Sequence, residues 1–181
     1  MQSDGAVNCV KMGCLMMKRC SYIVVLMTIL LIFTGCVRTA PDMNETQRIF
    51  QENYEDIQTV VTELLNMDFQ DIFFERDRKN GIVMWADFED RKIKNPTLAQ
   101  AVKALLSNGK YENISKKDGE MIIFEQPITY YGRSSGIVYT LSTTKVPNVE
   151  YAIEIKPLPE SGWYYFVSDP DQWRVEQTKS A

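Results

Sequence analysis

An uncharged segment of eighteen residues near the start of the chain, 20–37, divides the sequence into two parts. The segment lies between Arg19 and Arg38, and its uninterrupted apolar part covers 22–33. As a helix at about 1.5 Å per residue it spans roughly 27 Å, close to the thickness of a hydrocarbon core. The apolar part is short for a membrane span and is preceded by basic residues, which is the order of a signal peptide. The sequence therefore predicts an N-terminal targeting segment and a separate body.

The end of this segment carries a short motif. After the basic pair and the apolar run, the sequence closes with Phe33-Thr34-Gly35-Cys36. These four residues resemble the lipobox of bacterial lipoproteins, in which an aliphatic residue, a small residue and Gly or Ala precede an invariant cysteine. Phe33 departs from that pattern, because Leu is the usual residue there. The resemblance implies that diacylglycerol is attached to the thiol of Cys36 and that cleavage makes this cysteine the first residue of the mature protein.

The implied modification determines where the protein would work. Burial of acyl chains contributes about 0.8 kcal/mol per methylene, and two chains anchor a protein stably where one binds only marginally. An uncleaved transmembrane anchor is the alternative interpretation of the same segment. Lys11, Lys18 and Arg19 favour the inner side of the membrane, so both interpretations place the residues after Arg38 outside the cytoplasm. We expect a cell-membrane protein whose bilayer contact is an acylated, for example palmitoylated, Cys36.

The sequence also indicates domain boundaries. The predicted parts are a signal peptide over 1–35, the lipidated cysteine and its tether over 36–44, and a single extracytoplasmic domain over 45–181. Met16 and Met17 directly precede the basic pair, and translation from either gives a signal of the usual length. Residues 1–15 are therefore expected to be a mis-assigned start or an overhang. At no more than about 3.5 Å per residue, the tether over 37–44 reaches less than 30 Å, which keeps the body near the membrane.

The composition of the body excludes several functions. Of the 20 basic and 24 acidic residues, three basic and one acidic precede Cys36, so the remainder has a net charge of −6. An acidic body offers no electrostatic footprint for nucleic acid. All four cysteines lie within the first 36 residues and the chain contains no histidine. A disulfide framework in the body is therefore excluded, the commonest general base and zinc ligand is missing, and we expect no metal or cofactor.

Two helices are predicted in the body. Apolar residues at spacings of three and four indicate an amphipathic helix over 44–66. A second helix is bounded by clear signals: Asn95 as N-cap, Pro96 at the first helical position and Asn108-Gly109 at the end. The mixed charge run 87–94 between them lacks the glycine turn and the spacing of a calcium loop, so a solvated connector is the simpler interpretation.

The strands follow a period of two. The predicted strands are a hairpin over 72–75 and 82–86, joined at Asn80-Gly81, and five further segments over 111–115, 120–125, 137–143, 149–155 and 163–167. Five strands in a row with short links indicate an antiparallel meander. The sequence thus predicts an α+β fold in which two helices pack on a mainly antiparallel sheet, in the order helix, hairpin, helix, five-strand meander.

Two matches to catalytic motifs fail on their context. The G-x-S-x-G pattern at 132–136 lies between strands in a chain without histidine, whereas a nucleophile elbow needs a helix after it and a base beside it. The S-x-x-K pattern at 142–145 ends a strand, where positions three apart point to opposite faces. Neither match predicts a hydrolase.

Acidic pairs are the remaining catalytic candidates, because acid–base hydrolysis needs only two carboxylates at a suitable separation. Asp169 and Asp171 lie close in sequence, and Asp68, Asp71 and Glu75 cluster around the start of the first hairpin. Nothing in the sequence marks these side chains as buried or perturbed, so surface acids at strand ends are the simpler interpretation.

Aromatic residues are concentrated in the C-terminal strands. Alternation places Trp163 and Tyr165 on one sheet face and Tyr164 on the other. If helices cover one face only, some of these rings are exposed and, with Trp173, form a candidate ligand platform for saccharide or peptide; packing is the alternative role. The sequence favours a non-enzymatic binding or interaction module with an envelope protein or saccharide as partner. The alternatives are a small carboxylate-dependent cell-wall hydrolase and an accessory or immunity-type subunit of a membrane complex.

The lipobox resemblance makes a direct prediction. Replacement Cys36→Ala should abolish incorporation of labelled palmitate and block cleavage, because the acceptor thiol is lost. Metabolic labelling and the mobility of the membrane-fraction protein on a gel measure both effects. Cys20→Ala, which removes a thiol from the same segment, is the matched control and should change neither. Unaltered labelling of the Cys36→Ala protein would contradict the prediction.

Overall fold

The computed structural model describes residues 39–77, 79, 81–129, 132–142 and 145–180. The predicted signal peptide over 1–35 and the lipidation of Cys36 lie outside these residues and remain predictions. In the part that the structure describes, no helix is both long and apolar enough to cross a membrane.

Four helices and eight strands occur in the described residues. The helices are α1 Met43–Glu52, α2 Tyr54–Leu65, α3 Pro96–Ser107 and α4 Pro170–Ser180. The strands are β1 Ile72–Asp77, β2 Gly81–Ala86, β3 Glu89–Arg91, β4 Asn113–Lys117, β5 Met121–Glu125, β6 Ser134–Thr140, β7 Ala152–Pro157 and β8 Trp163–Ser168. They form one open sheet in the order β3-β2-β1-β4-β5-β6-β8-β7, in which all neighbours are antiparallel. The predicted α+β class is confirmed, and the element count is larger than predicted.

The helix predicted over 44–66 is two helices, divided at Asn53. The Asn53 side chain donates to the carbonyl oxygen of Ile49 at 2.7 Å, and its backbone N–H bonds to Phe50 O. An asparagine that bonds to its own helix in this way competes with the regular hydrogen-bond ladder. The amphipathic spacing of the apolar residues continues through the break, which is why the sequence indicated one helix. The N-terminus of α1 is capped by Asp42, which accepts from Glu45 N at 2.9 Å.

Helix α3 matches its prediction. Asn95 Oδ1 accepts from the backbone N–H groups of Thr97 and Leu98, and Pro96 occupies the first turn. The buried residues of α3 are Leu98, Ala101, Val102, Leu105 and Leu106. These local signals define both the boundaries and the buried face of the helix.

One face of the sheet, here called the helix face, packs against α1, α2 and α3. Its core is apolar and continuous with the buried side chains of these helices, and includes Phe74, Ile114, Phe124, Ile137 and Trp163. Near α1, the Gln126 side chain accepts hydrogen bonds from the hydroxyls of Thr46, at 2.9 Å, and Ser135, at 2.8 Å. This buried polar link joins α1 to the sheet. The opposite surface of the sheet is called the open face.

Three parts of the predicted topology need correction. The run 87–94 contains β3, whose three residues pair with the end of β2; a short edge strand of exposed charged residues also discourages pairing with another chain. The last strands do not form a simple meander, because β6 pairs with β8 and β7 lies outside β8 at the sheet edge. Helix α4 was not predicted, although Asp169 before Pro170 is a helix-start signal.

Close packing between strands leaves no room for a side chain at Gly136 in β6. A Cβ atom there would overlap the carbonyl oxygen of Phe124 and lie 2.9 Å from ring atoms of Phe166. We predict that Gly136→Ala lowers the free energy of unfolding by about 1–3 kcal/mol, because neither obstacle is a flexible side-chain end. Urea denaturation measures the change. The control Leu141→Ala, at a side chain 52% exposed just beyond the same strand, should stay within about 0.5 kcal/mol. An unchanged urea midpoint for Gly136→Ala would contradict this packing.

Candidate functional site

Two of the four aromatic residues predicted to bind ligand are in the core. Trp163 is 2% exposed and Tyr165 is 4% exposed, and both point to the helix face. The Trp163 ring packs against Phe50 of α1 at a centroid distance of 4.7 Å. The Tyr165 hydroxyl donates to Pro41 O at 3.2 Å, and burial raises the pKa of this hydroxyl to about 12. The expectation of an exposed platform is corrected for these two rings, because α1 covers β8.

The other two aromatic residues lie elsewhere. Tyr164 is on the open face, half-buried against a second apolar cluster that contains Val138 and Phe166. Trp173, in α4, packs its ring edge against Tyr151 at a centroid distance of 5.4 Å. The four predicted residues therefore do not form one platform. Tyr164 lies on the open face, and Trp173 contacts Tyr151.

A short segment before β7 crosses the open face. This strap consists of 149–151. Val149 is buried in the second apolar cluster, the Ser168 hydroxyl donates to Glu150 O at 3.3 Å, and the backbone N–H of Asp169 donates to Tyr151 O at 3.1 Å. Tyr151 has a φ of 57°, a left-handed conformation that non-glycine residues rarely adopt. Contacts at each of its residues thus hold the strap in place. Strained backbone like that of Tyr151 is concentrated at functional sites.

The strap and the open face enclose a groove, here called the open-face groove, with a volume of about 330 Å³. Its lining residues are Phe73, Asn113, Ser115, Lys117, Ile123, Glu125, Val149, Glu150, Tyr151, Phe166 and Ser168. The volume falls within the range of about 300–1,000 Å³ that is typical of small-molecule sites. Strands β1, β4, β5 and β8 supply most of the groove, because alternate residues of each strand point to this face.

Glu125 organises the polar groups at one side of the groove. Its carboxylate accepts from Asn113 Nδ2 at 2.8 Å and from Ser134 Oγ at 2.5 Å. Asn113 and Glu125 are direct cross-strand partners in the β4–β5 hairpin. Ser134 is the serine of the G-x-S-x-G match, and it stands at the first position of β6, so it lies in a strand and not between strands as predicted. These hydrogen bonds fix the carboxylate and amide in orientation.

Glu150 organises the polar groups of the strap. Lys117 Nζ lies 3.3 Å from the Glu150 carboxylate. The hydrogen bond from Tyr151, assisted by Lys117, holds the pKa of Glu150 below its usual range, while the same hydrogen bond raises the pKa of the Tyr151 hydroxyl. The positive and negative groups that line the groove at this side therefore compensate one another.

The acidic residues predicted from sequence have structural positions. Asp169 Oδ1 accepts from the backbone N–H groups of Asp171 and Gln172 at the start of α4, and Oδ2 bonds to Arg133 Nε at 2.7 Å. The Asp171 side chain is 88% exposed. Among the residues that the structure describes, no cluster of three or more His, Cys, Asp or Glu side chains has the arrangement of a metal site.

The remaining acidic candidates lie around the first hairpin. Asp71 and Asp87 exchange backbone and side-chain hydrogen bonds across the end of the β1–β2 pair. Glu75 is exposed on β1. Asp68 belongs to the turn that follows α2. Among the described residues, no hydrogen bond joins these acids into a catalytic pair with Asp169, so the structure gives them no shared site.

Sequence reasoning missed Glu125, Asn113 and the strap. The first two are visible only when the register of the β4–β5 hairpin is known, because a shift of one residue moves both side chains to the other face. The strap falls within the segment 149–155 that was predicted as a strand, whereas the structure begins β7 only at Ala152. Comparisons with protein-family models, curated proteins and solved structures found no match to this chain.

Asp169 makes stability depend on pH. Hydrogen bonds from Gln172 N, then from Arg133, hold the pKa of its carboxyl below the usual value. Its stabilising contribution is therefore complete above the unfolded-state pKa of about 3.9 and is lost as the pH falls through the lower folded-state value. We predict that Asp169→Ala costs about 1 kcal/mol at neutral pH, as loss of a helix cap does.

Urea denaturation between pH 7 and pH 2 measures this contribution. The difference between the wild-type protein and Asp169→Ala should shrink below about pH 4. Asp171→Ala is the control in the same helix turn, because its exposed pairing with Arg174 at 3.4 Å is worth less than about 1 kcal/mol. A difference that stays constant over the whole pH range would contradict the assignment.

Proposed function

We propose that the chain is a membrane-anchored, extracytoplasmic binding module that holds its ligand in the open-face groove. The observation that carries this proposal is the groove itself. It combines an apolar floor with oriented hydrogen-bonding groups on the sheet face opposite α1, α2 and α3. Ligand sites of small molecules have this composition. The anchor is acylated Cys36, inferred from the signal-like sequence and its lipobox motif.

The start of the body is consistent with a short anchor. Helix α1 begins at Met43, Asp42 caps it, and Pro41 accepts the hydrogen bond from Tyr165. The predicted tether extends through residue 44, so these contacts involve its last residues.

The groove chemistry favours a neutral, hydroxyl-rich ligand such as an envelope saccharide. Phe73 and Tyr151 provide apolar rings, against which the carbon face of a sugar packs. Asn113 supplies amide groups, and the charges of Lys117 and Glu150 are already paired. Glu125 adds a second negative charge to the lining, which disfavours an anionic ligand. A peptide of an envelope protein would use the same apolar rings and amide group, so peptides are included in the test.

Binding fits the side-chain arrangement better than catalysis does. Glu125 accepts two hydrogen bonds, and the Ser134 hydroxyl donates to it from a position only 3% exposed. A nucleophile needs access to its substrate, which burial denies to Ser134. The second candidate function is a carboxylate-dependent cell-wall hydrolase, because Glu125 and Glu150 line the same groove.

The groove proposal predicts a loss of binding on removal of its floor. We expect Phe73→Ala in the full-length protein to reduce retention on purified cell-wall saccharide about tenfold, a change that corresponds to about 1.4 kcal/mol. Co-sedimentation with the insoluble saccharide measures retention, and synthetic envelope peptides are tested as competitors. Phe88→Ala is the control, because the Phe88 ring is 90% exposed and lies outside the groove lining.

Several outcomes separate the candidate functions. Equal retention of both variants would exclude the groove as the binding site. Release of soluble sugar by the wild-type protein, abolished by Glu125→Gln, would support the hydrolase instead of the binding module. Competition by a peptide and not by soluble saccharide would identify a protein partner.

A further inference from the structure

A second cavity lies on the helix-face side, between α3 and the hairpin of β1 and β2. Its volume is about 490 Å³. The lining residues that matter to its chemistry are Arg76, Ile82, Ile93, Ala99, Lys103 and Ser107. None of these residues lines the open-face groove. The cavity is therefore a separate site.

The sequence of α3 explains why this space is not filled. Ala99, Lys103 and Ser107 are spaced four apart, so they share one side of the helix. Ala99 and Ser107 are small, and Lys103 is long and exposed. Across the gap, Ile82 and Ile93 are only partly buried, although they are large apolar side chains. Two half-covered isoleucines beside small residues leave an apolar recess.

The edge of this recess is positively charged. Arg76 is the direct cross-strand partner of Ile82, and Lys103 faces the recess from α3. Both side chains are exposed, and neither forms an ion pair with another residue of the described ranges. Lys92 and Lys94 flank Ile93 and are likewise exposed.

This concentration of cations stands out against the net charge of the body. The residues from Cys36 onwards carry a net charge of −6. Unpaired cations around a recess attract anions and raise their local concentration. Arginine also offers a fork of N–H donors that matches carboxylate and phosphate groups.

We infer that this recess binds an anionic amphiphile, which is a molecule with an alkyl chain and one carboxylate or phosphate head group. The alkyl chain packs against Ile82, Ile93 and Ala99, and the head group pairs with Arg76 and Lys103. A neutral apolar molecule would leave the cations unused, and inorganic phosphate would leave the apolar walls exposed to water. Only a ligand with both parts satisfies the whole site.

The test uses the full-length protein in phosphatidylcholine vesicles. The probe is dodecyl phosphate with a photoactivatable diazirine at the end of its chain, added below its micelle concentration. After irradiation, mass spectrometry of the digested protein locates the covalent adducts. We expect adducts at and next to Ile82, Ile93 and Ala99. Adducts spread evenly over the protein surface would overturn the inference.

Charge variants test the head-group contacts. The double variant Arg76→Gln, Lys103→Gln should lower labelling of the recess about tenfold, because charge-assisted hydrogen bonds to the head group are lost. The matched control Lys145→Gln, Lys179→Gln removes the same charge at two exposed positions elsewhere and should have no effect. Equal labelling of both double variants would show nonspecific apolar partition and overturn the inference.

Filling variants test the recess itself. Ala99→Leu keeps the cations and occupies the apolar space, so labelling should again fall about tenfold. Ser107→Leu, at the exposed end of α3, is the second filling variant if Ala99→Leu destabilises the protein. Undiminished labelling of a folded filling variant would show that a surface patch of cations binds the probe, which would also overturn the inference.

A second arm identifies the source of the ligand. The same diazirine is placed on the acyl chain of phosphatidic acid within the vesicle. Recess labelling from the bilayer arm indicates a membrane lipid, and labelling only from the dissolved probe indicates a diffusible amphiphile; either supports the ligand class, and labelling in neither arm overturns it. Phe73→Ala should leave recess labelling unchanged, so this result and the groove result are independent.

Discussion

The contact between Phe50 of α1 and Trp163 of β8 decides which face of the sheet is available. Each ring is almost fully buried, and their centroids lie 4.7 Å apart. Because side chains alternate along a strand, burial of Trp163 and Tyr165 under α1 sends Tyr164 and Phe166 to the other surface. The helices therefore complete one core and leave the opposite face to a much smaller cluster.

The position of β7 outside β8 determines where the chain crosses the open face. A strand order in which β7 lies outside β8 requires the chain to travel from the end of β6 to the far edge of the sheet. Its last part, the strap over 149–151, is held on the open face by buried Val149 and by bonds from Ser168 and Asp169. The groove thus arises from the crossing itself, because the strap forms one wall over a floor of strand residues.

The sequence predicted those features that depend on neighbouring residues. Asn95 and Pro96 determine the start of α3 locally, and the structure agrees. The break at Asn53 was missed because the apolar stripe continues through it, and the order of β7 and β8 was missed because it depends on packing between distant segments. The groove residues Asn113 and Glu125 meet only through strand register, which no local pattern reveals. Alternation correctly separated Trp163 and Tyr165 from Tyr164, but could not say which face α1 would cover.

Charge pairing distinguishes the two recesses of the body. In the open-face groove, Lys117 is paired with Glu150 and the Glu125 carboxylate accepts two hydrogen bonds from neutral donors, so the lining combines directed hydrogen bonds with a small net negative charge. In the recess beside α3, Arg76 and Lys103 have no such partners among the described residues. The site therefore combines a positive electrostatic potential with an apolar wall. The ligand proposed for the first site is therefore recognised by shape and hydroxyl geometry, and the ligand proposed for the second by charge and chain length. The two proposed ligands, a neutral saccharide and an anionic amphiphile, do not compete for side chains, because neither site uses a side chain of the other.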